Sequence, residues 1–469
     1  MNRGWKAVLR ARVHHWCVQR DTMRRLPWSY WGYAAHARGL SLHGVSLGDV
    51  MMQHGSPLHV LNVPHLLANF DAFAHGDGVL HPTVCCSVKT YPVPGMLAIL
   101  FANGAQAEVI SEHELWLVRE LGVPASQIIY NGPAKSDASI AWAVAHGIKA
   151  IHLNHREEMQ RVGAIAARLG RRVRVGFRVT SGAMGQFGLP LWDDDTVAVV
   201  REAMAHEWLE PVSLHCHRGS YMRTEAELAS HVDPMLDFAR HLRDATGWEC
   251  RMLDVGGSLA VRSVAPLVGR ARRLARTFGV PASAPDPDAT LSPAEYSAWV
   301  CRRVRECCDR SGMSVPEIVM EPGRALSADA QALLSTVLEL RQGDPFSYAV
   351  TDVGTAVAPG ASDEYHQIGI AHQAAELRRG AQVYRIVGPI CHLGDVASLA
   401  WSLPALSRGD RLVMMDSGAY FISDGSSFSF GQPGVVAVHA DGRVQLLRRT
   451  ESSDDMVQRD EWQRHRRAE

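Results

Sequence analysis

Residues 82–90 read Pro-Thr-Val-Cys-Cys-Ser-Val-Lys-Thr, a short apolar run that ends at a lysine. Side chains alternate between the two faces of a strand, so Cys85, Ser87 and Lys89 share one face. Enzymes built as barrels of alternating strands and helices carry their chemistry where the strands end. Partial burial is expected to lower the pKa of Lys89 and to make its amine a nucleophile for Schiff-base formation. The alternative is a lysine that only extends from the strand end to water.

The pattern of this stretch is repeated along the chain. Eight apolar runs, each followed by turn residues and a helix-like stretch, are candidate strands: 83–88, 107–110, 127–130, 150–153, 172–179, 212–216, 252–255 and 317–320. Eight such units predict an α/β fold, a (β/α)8 TIM barrel. The residues at or just past the strand ends would then lie on one rim: Lys89, Ser111, Asn131, Asn154, Arg178, His217, Gly256, Gly257 and Glu321.

The remaining segments predict a second domain. Short strand candidates at 333–340, 348–352, 382–387, 411–416, 434–439 and 445–449 indicate a C-terminal β-rich domain, sandwich-like or barrel-like, over 331–455. We expect the barrel at 65–330, with an insertion at about 258–293. Residues 46–64, with a strand at 58–62, are expected to join the β domain, and 456–469 to form a charged tail.

Composition sets limits on partners and location. The chain has 469 residues and a net charge of -1, so no global basic excess points to nucleic acid. No run approaches the length of a membrane span, and the first thirty residues lack an apolar signal core. The nine cysteines show neither zinc spacing nor a disulfide framework, which favours a reducing compartment. We therefore expect a cytoplasmic protein without a membrane partner.

Residues 1–45 form a basic, Trp-rich N-terminal extension. Asp21 is its one acidic residue, against the basic residues Arg3, Lys6, Arg10, Arg12, Arg20, Arg24, Arg25 and Arg38 and the tryptophans Trp5, Trp16, Trp28 and Trp31. Such a segment can dock an acidic partner, for example an acidic carrier protein. The alternative is an amphipathic extension that lies on its own domain.

Six short motifs occur in a fixed order. They are Ser-Val-Lys89-Thr, His217-Arg-Gly-Ser220, Asp254-Val-Gly256-Gly257-Ser, Glu321-Pro-Gly-Arg324, Gly388-Pro-Ile-Cys391-His-Leu-Gly-Asp395 and Asp416-Ser-Gly-Ala-Tyr420. Over roughly 46–455 the chain resembles the fold-type III, alanine racemase-like barrel family of pyridoxal-phosphate decarboxylases, the group of diaminopimelate, ornithine and arginine decarboxylases. The resemblance implies a pyridoxal 5'-phosphate cofactor, an amino-acid-type substrate and decarboxylation.

The resemblance also implies roles for individual residues. Lys89 would carry the cofactor, and Glu321 would hold the proton on the ring nitrogen, which favours decarboxylation over racemisation. His217 would stack on the ring, while Glu108 and Arg178 would lie close to the lysine and the cofactor. The phosphate would be bound by the remaining cofactor-binding residues, Ser220, Gly256, Gly257, Arg324 and Tyr420.

Cys391 is the catalytic candidate in the second domain. In the family this cysteine comes from the other subunit and returns a proton to Cα, so the resemblance implies a homodimer with shared active sites. A thiol suits that role, because it can give and regain a proton near neutral pH.

Departures from the family concern the substrate. His392 stands where the family has an acid that holds a distal amine, and residues 352–360 lack the arginine that binds a distal carboxylate. We expect a decarboxylase for an atypical distal group, a siderophore precursor or a carrier-tethered amino acid, with Asp352, Arg218, His392 and Asp395 near the substrate. The alternatives are diaminopimelate decarboxylase proper, a pyridoxal-phosphate racemase or epimerase, and a non-catalytic homologue that binds a partner.

His215-Cys-His217 allows a metal site as a further alternative, because two histidines two apart on a strand bind zinc in barrel hydrolases. Asp254 is one possible third ligand. His152 lies within its strand, and His155 is expected to begin a helix instead. We therefore expect no metal.

Overall fold

The computed structural model describes residues 12, 23–37, 39–180, 186–219, 221–343, 346–372 and 381–461. Ser220, Arg38 and nearly all of the first 22 residues lie outside this part of the chain. The strands are β1 (Tyr33–His36), β2 (Gly39–Leu42), β3 (Val45–Ser46), β4 (Leu58–Asn62), β5 (Thr83–Ser87), β6 (Gln106–Val109), β7 (Ile128–Tyr130), β8 (Ala150–Leu153), β9 (Val173–Thr180), β10 (Leu189–Pro190), β11 (Leu209–His215), β12 (Met252–Asp254), β13 (Glu317–Met320), β14 (Gln331–Arg341), β15 (Ser347–Thr351), β16 (Ile368–Ile370), β17 (Ala381–Val387), β18 (Val396–Pro404), β19 (Arg411–Met414), β20 (Gly434–Val438) and β21 (Val444–Arg448).

The α-helices of the described residues connect these strands. They are α1 (Leu47–His54), α2 (Val63–Ala74), α3 (Pro94–Ala102), α4 (Glu112–Glu120), α5 (Asp137–His146), α6 (Arg156–Leu169), α7 (Asp194–Ala205), α8 (Glu225–Thr246), α9 (Gly269–Phe278), α10 (Pro293–Ser311), α11 (Arg324–Ser327) and α12 (Ser453–Met456). Polar side chains cap most of the barrel helices; Ser111, for example, accepts from the backbone N–H of Glu114 at the start of α4. Among the described residues, no helix combines the length and the apolar character that crossing a membrane requires.

Eight parallel strands close into a ring. The order β5-β6-β7-β8-β9-β11-β12-β13 returns to β5 through the pairing of β13 with β5, and β8 pairs with β9. The predicted TIM barrel is therefore confirmed, with strand ends shifted by a few residues. Strand β10 pairs with β9 outside the ring.

Apolar side chains from the barrel strands pack together inside the ring. Six buried apolar side chains form a separate cluster there: Cys85, Ile129, Ala150, Val212, Met252 and Val319. Cys86, the next residue along β5, packs in the larger core outside the ring. The predicted alternation along β5 thus holds, and the polar residues of that face, Ser87 and Lys89, lie at and just after the C-terminal end of the strand.

The second unit is a β-rich C-terminal domain. Its sheet has the order β18-β17-β15-β14-β4-β20-β21, and β19 pairs with both β14 and β16. Strand β4, from before the barrel, lies between β14 and β20, antiparallel to β14 and parallel to β20. The sequence reasoning missed β16 and β18; β18 reads Val-Ala-Ser-Leu-Ala-Trp-Ser-Leu-Pro, and its alanines and serines favour strands only weakly.

The described part of the N-terminal extension packs on the β domain. Trp31 is fully buried, and its indole Nε1 donates to Oδ1 of Asp416 at 2.8 Å. Trp28 is half-buried against Gly369 of β16. For Trp28 and Trp31 the interpretation of an extension lying on its own domain therefore holds, whereas Trp5 and Trp16 lie outside the described residues.

Candidate active site

Lys89 lies in the short 3-10 turn Val88–Thr90, directly after β5. Its Nζ donates to Oε2 of Glu108, a carboxylate on β6 with no exposed surface, at 3.0 Å. Burial lowers the pKa of the amine, but the carboxylates of Glu108 and Glu321 outweigh burial and raise the pKa above its ordinary value. The expectation of a lowered pKa was therefore wrong, because it considered desolvation and omitted the two buried acids.

The two acids share one amide. Asn131, the residue after β7, donates from Nδ2 to Oε1 of Glu108 at 3.1 Å and to Oε1 of Glu321 at 2.6 Å. Ser87 adds a bond from its hydroxyl to Oε2 of Glu108 at 2.6 Å. Glu321 follows β13, and its backbone N–H donates to the carbonyl of Gly256 at 2.8 Å. Hydrogen bonds to Ser87 of β5, to Asn131 after β7 and to Gly256 after β12 thus hold the two acids beside Lys89.

Three histidines and an aspartic acid next to these carboxylates have pKa values shifted toward their uncharged forms. His152 and His215 stack with ring centroids 4.7 Å apart, and burial lowers the pKa of both far below its ordinary value. Burial, then Glu321, raises the pKa of Asp254 well above its usual range. Burial, then the charge of Lys89, lowers the pKa of His217 to about 4. The imidazoles are therefore uncharged at neutral pH.

A glycine pair follows β12 at the rim. Gly256 has φ +65°, a left-handed conformation that strains other residues, and its backbone N–H donates to Oδ1 of Asp254 at 2.9 Å. A Cβ at Gly257 would clash with the backbone carbonyl of Glu321. His217 reaches the same loop, since its Nδ1 accepts a long bond of 3.4 Å from the N–H of Gly257.

Arg324 and Tyr420 line one pocket with Lys89, His217, Gly257, Ser258, Glu321 and Thr90, with about 360 Å³ of empty space. The guanidinium of Arg324 lies over the ring of Tyr420 at 5.0 Å. Three buried polar atoms near it have no hydrogen-bond partner among the described residues: Oγ of Ser258, Nε of Arg324 and Oγ1 of Thr90. Buried donors without acceptors are what an anion such as a phosphate would satisfy.

Three other predicted site residues do not line the pocket of Lys89. Arg178, on β9, has its guanidinium over the ring of Phe187 at 4.8 Å, and its charge contributes to the lowered pKa of His215 and His217. Arg218 is exposed and donates to Ser230 of α8. Asp352 accepts from the hydroxyl of Ser56 at 2.6 Å and from the backbone N–H of Thr336 at 2.8 Å, within the β domain.

The loop that carries Cys391 is exposed. Cys391, His392 and Gly394 are exposed, and the side chain of Leu393 is fully exposed. Asp395 is buried and ties the loop down, because it accepts from the backbone N–H of Thr355 at 2.7 Å and of Ile390 at 2.8 Å. The loop is therefore built rigidly, yet within this chain Cys391 does not line the pocket of Lys89.

Four possible metal ligands converge in the barrel, namely His152, His215, Asp254 and Glu321, with their ligand atoms within 4.8 Å of one another. His152 therefore joins the cluster, although the sequence reasoning set it aside. Its Nδ1 lies 2.6 Å from Oδ1 of Asn131 and its Nε2 lies 3.1 Å from Oγ of Ser213. Because both ring nitrogens are engaged, His152 offers no free nitrogen to a metal ion.

The comparison with known families decides what this pocket belongs to. The profile of the family described as "Pyridoxal-dependent decarboxylase, pyridoxal binding domain" matches residues 69–328, more than half of the chain. The chain belongs to the pyridoxal-dependent decarboxylase family. This decarboxylase is a pyridoxal-phosphate-dependent amino-acid lyase. The alternatives of a racemase and of a non-catalytic binding protein find no support.

Individual relatives agree over nearly the whole chain. The decarboxylase is 25% identical to diaminopimelate decarboxylase of Aquifex aeolicus over 436 residues, 89% of this chain and 95% of the relative. It is 27% identical to diaminopimelate decarboxylase of Vibrio cholerae over 424 residues, 87% and 93% of the two chains. The structure of diaminopimelate decarboxylase from M. jannaschii has a TM-score of 0.81 at 21% identity and covers 92% of this chain and 98% of that chain.

The residues of this decarboxylase fit its cofactor. The pocket offers a lysine amine, a buried carboxylate at Glu321 and donors for a phosphate that have no partner in the described part of the chain. The resemblance pointed to most of these residues, but Thr90, Ser258, Asn131 and His152 were not assigned to the cofactor from sequence. Asn131 was expected on the rim, and only its position after an apolar run could have suggested more.

Proposed function

We propose that this enzyme is a diaminopimelate decarboxylase, with its cofactor attached to Lys89. The observation that carries the attachment is the approach of Lys89 Nζ to Glu108, beside a pocket that also presents Glu321 and the polar atoms of Thr90, Ser258 and Arg324. The substrate is supported by the relatives, which bear the name diaminopimelate decarboxylase in several organisms at 24–27% identity.

The cofactor, when bound, supplies a protonated ring that accepts the electrons released as carbon dioxide leaves. Glu321 is proposed to keep the proton on the ring nitrogen, with its carboxylate held in place by Asn131. Glu108 orients the amine of Lys89 toward the pocket. Arg324, Ser258 and the N–H of Gly257, whose bond to His217 is long, are proposed to anchor the phosphate.

His217 is uncharged in this role. An imidazole with a pKa near 4 adds no positive charge beside the ring, so the ring proton depends on Glu321. Arg178 and Tyr420 complete the proposed cofactor set, together with Ser220, which lies outside the described residues.

A second copy of the chain is proposed to complete each site. Cys391 and His392 are exposed on a loop that Asp395 holds in place, and the neighbouring Leu393 presents a fully exposed apolar side chain. Such an apolar tip on a rigid loop fits burial against a partner. Cys391 of one subunit would then return the proton to Cα in the site of the other.

A substrate with another distal group is the second candidate, and His392 is the observation that favours it. An imidazole at this position cannot hold a distal amine as a carboxylate does. Arg218, the other residue predicted to contact the substrate from the barrel, does not line the pocket of Lys89. A carrier protein finds no support in the comparisons, since the relatives are named for a small amino acid.

The test is a substrate panel with carbon dioxide as the readout. Wild type, His392→Glu and Lys89→Ala are offered diaminopimelate, ornithine, lysine and carboxylated analogues. We expect diaminopimelate to have the highest kcat/KM in wild type, and Lys89→Ala to release no carbon dioxide. If diaminopimelate is poor in wild type but improves about 30-fold in His392→Glu, the second candidate is correct. Turnover by Lys89→Ala, or borohydride labelling at another lysine, would refute the proposed attachment.

A further inference from the structure

The amide of Asn131 is the bridge between the two acids of the site. Both hydrogens of its Nδ2 are used, one toward Glu108 at 3.1 Å and one toward Glu321 at 2.6 Å. The bridge therefore sets the separation between the carboxylate beside Lys89 and the carboxylate proposed to face the ring nitrogen.

His152 determines which way this amide points. Oδ1 of Asn131 lies 2.6 Å from Nδ1 of His152. An amide oxygen only accepts, so Nδ1 must carry the imidazole proton and Nε2 must accept from the hydroxyl of Ser213 at 3.1 Å. Burial and the neighbouring His215 keep His152 neutral, with one N–H to give. A rotated amide would turn its oxygen toward two carboxylates.

Gly176 makes room for this chain of hydrogen bonds. It lies on β9, in register with His152 on β8 and with Ser213 on β11. A Cβ at position 176 would overlap the ring of His152 and the Cβ of Ser213. The absent side chain thus lets residues on two non-adjacent strands contact each other across the barrel interior, where both have no exposed surface.

We propose that Asn131 and His152 are positioning residues that hold the carboxylates of Glu108 and Glu321 at a fixed separation, so that the acid beside Lys89 and the acid proposed to face the ring nitrogen keep one geometry. The inference rests on the proposed roles of Lys89 and Glu321. Neither positioning residue lines the cofactor pocket, so both act through the carboxylates.

Loss of an N–H donor makes a carboxylate bind a proton more readily. The other charged or titratable groups around the pair are Lys89, Lys135, Arg178, His215, His217 and Asp254. Burial lowers the pKa of His215 and His217, so these two imidazoles stay uncharged near neutral pH. A variant that loses the Asn131 bridge should therefore stop binding the cofactor at a higher pH than wild type does when the solution is acidified.

The experiment compares His152→Leu with His152→Asn in the full-length protein. The amide N–H of Asn can replace Nδ1–H, whereas Leu has no donor. Apoenzyme is titrated with pyridoxal phosphate across the acid range, followed by absorbance of the bound cofactor, and the melting temperature is measured in parallel. We expect His152→Leu to weaken binding about tenfold and to move the acid limb upward, with His152→Asn within about threefold of wild type.

An unchanged acid limb in His152→Leu, with only a lower melting temperature, would mean that His152 is structural and would overturn the proposal. Where His152→Leu does not fold, Ser213→Ala removes the outer hydroxyl from the same chain, and a wild-type acid limb in that variant counts against the proposal equally. Borohydride labelling of wild type tests Lys89 separately, so failure of the proposed attachment is distinguished from failure of the bridge.

Discussion

The guanidinium of Arg324 and the carboxylate of Glu364 lie 3.2 Å apart, at the boundary between the barrel and the β domain. Tyr221 and His366 also contact this carboxylate. Arg324 is a proposed phosphate ligand, so a residue of the β domain holds a cofactor-binding side chain of the barrel. No motif in the sequence pointed to Glu364.

Glu364→Gln should lose stability in a pH-dependent way. Burial alone would raise the pKa of Glu364, but His366 and Arg324 outweigh it and lower the pKa to about 2. The carboxylate therefore stabilises the fold fully above its ordinary value near 4.5, and this contribution disappears as the pH falls toward 2. Urea unfolding of wild type and variant should show an advantage of wild type that shrinks on acidification by on the order of 3 kcal/mol. The exposed Glu120, changed to Gln, should show no such trend, and a constant difference for Glu364→Gln would contradict the prediction.

Gly256→Ala should weaken cofactor binding, and Gly409→Ala should not. Both glycines have positive φ, +65° and +87°, so either substitution should destabilise the fold by about 1 kcal/mol. Only Gly256 lies in the glycine pair next to Glu321 and His217, where the added methyl group would crowd the imidazole. We expect at least a tenfold higher Kd for pyridoxal phosphate in Gly256→Ala, measured by titration of the apoenzyme. Equal Kd values in the two variants would show that the glycine pair does not bind the phosphate.

Mixing Lys89→Ala with Cys391→Ala subunits should restore activity that neither has alone. If each site takes its lysine from one subunit and its cysteine from the other, a mixed dimer has one complete site. Random exchange then restores up to about a quarter of the wild-type activity. Carbon dioxide release is measured after exchange has been shown by mass-labelled subunits. Exchange without recovery would mean that Lys89 and Cys391 act within one chain.

Lys135→Met should be strongly destabilising. Nζ of Lys135 donates to Oε1 of Glu158 at 2.8 Å, with both side chains buried, and burial lowers the pKa of the amine. Removing the lysine leaves a buried carboxylate without its partner, which costs about 3–5 kcal/mol. The double variant Lys135→Met/Glu158→Gln should recover part of that loss. The exposed pair of Arg240 and Asp237 serves as the control, because Arg240→Met should cost less than about 1 kcal/mol.

The barrel was predictable because its strands repeat one local signal. Apolar runs with turn residues after them mark the eight strands, and Lys89 follows the first of these runs. The Asn131 bridge was not predictable, since it joins residues from β6, β7, β8 and β13 that only ring closure brings together. The pKa shift of Lys89 was predicted in the wrong direction for the same reason, because the acids that raise this pKa come from other strands.

Strand β4 also sets an order of assembly. It leaves the ribosome about 270 residues before β14, its antiparallel neighbour, because the whole barrel separates them in the chain. During synthesis β4 therefore has unpaired edges while the barrel is already able to close. The barrel strands form one continuous piece of the chain, whereas a fragment that begins at β14 lacks the strand between β14 and β20. Dissection of this enzyme by truncation should accordingly preserve the barrel half and lose the β half.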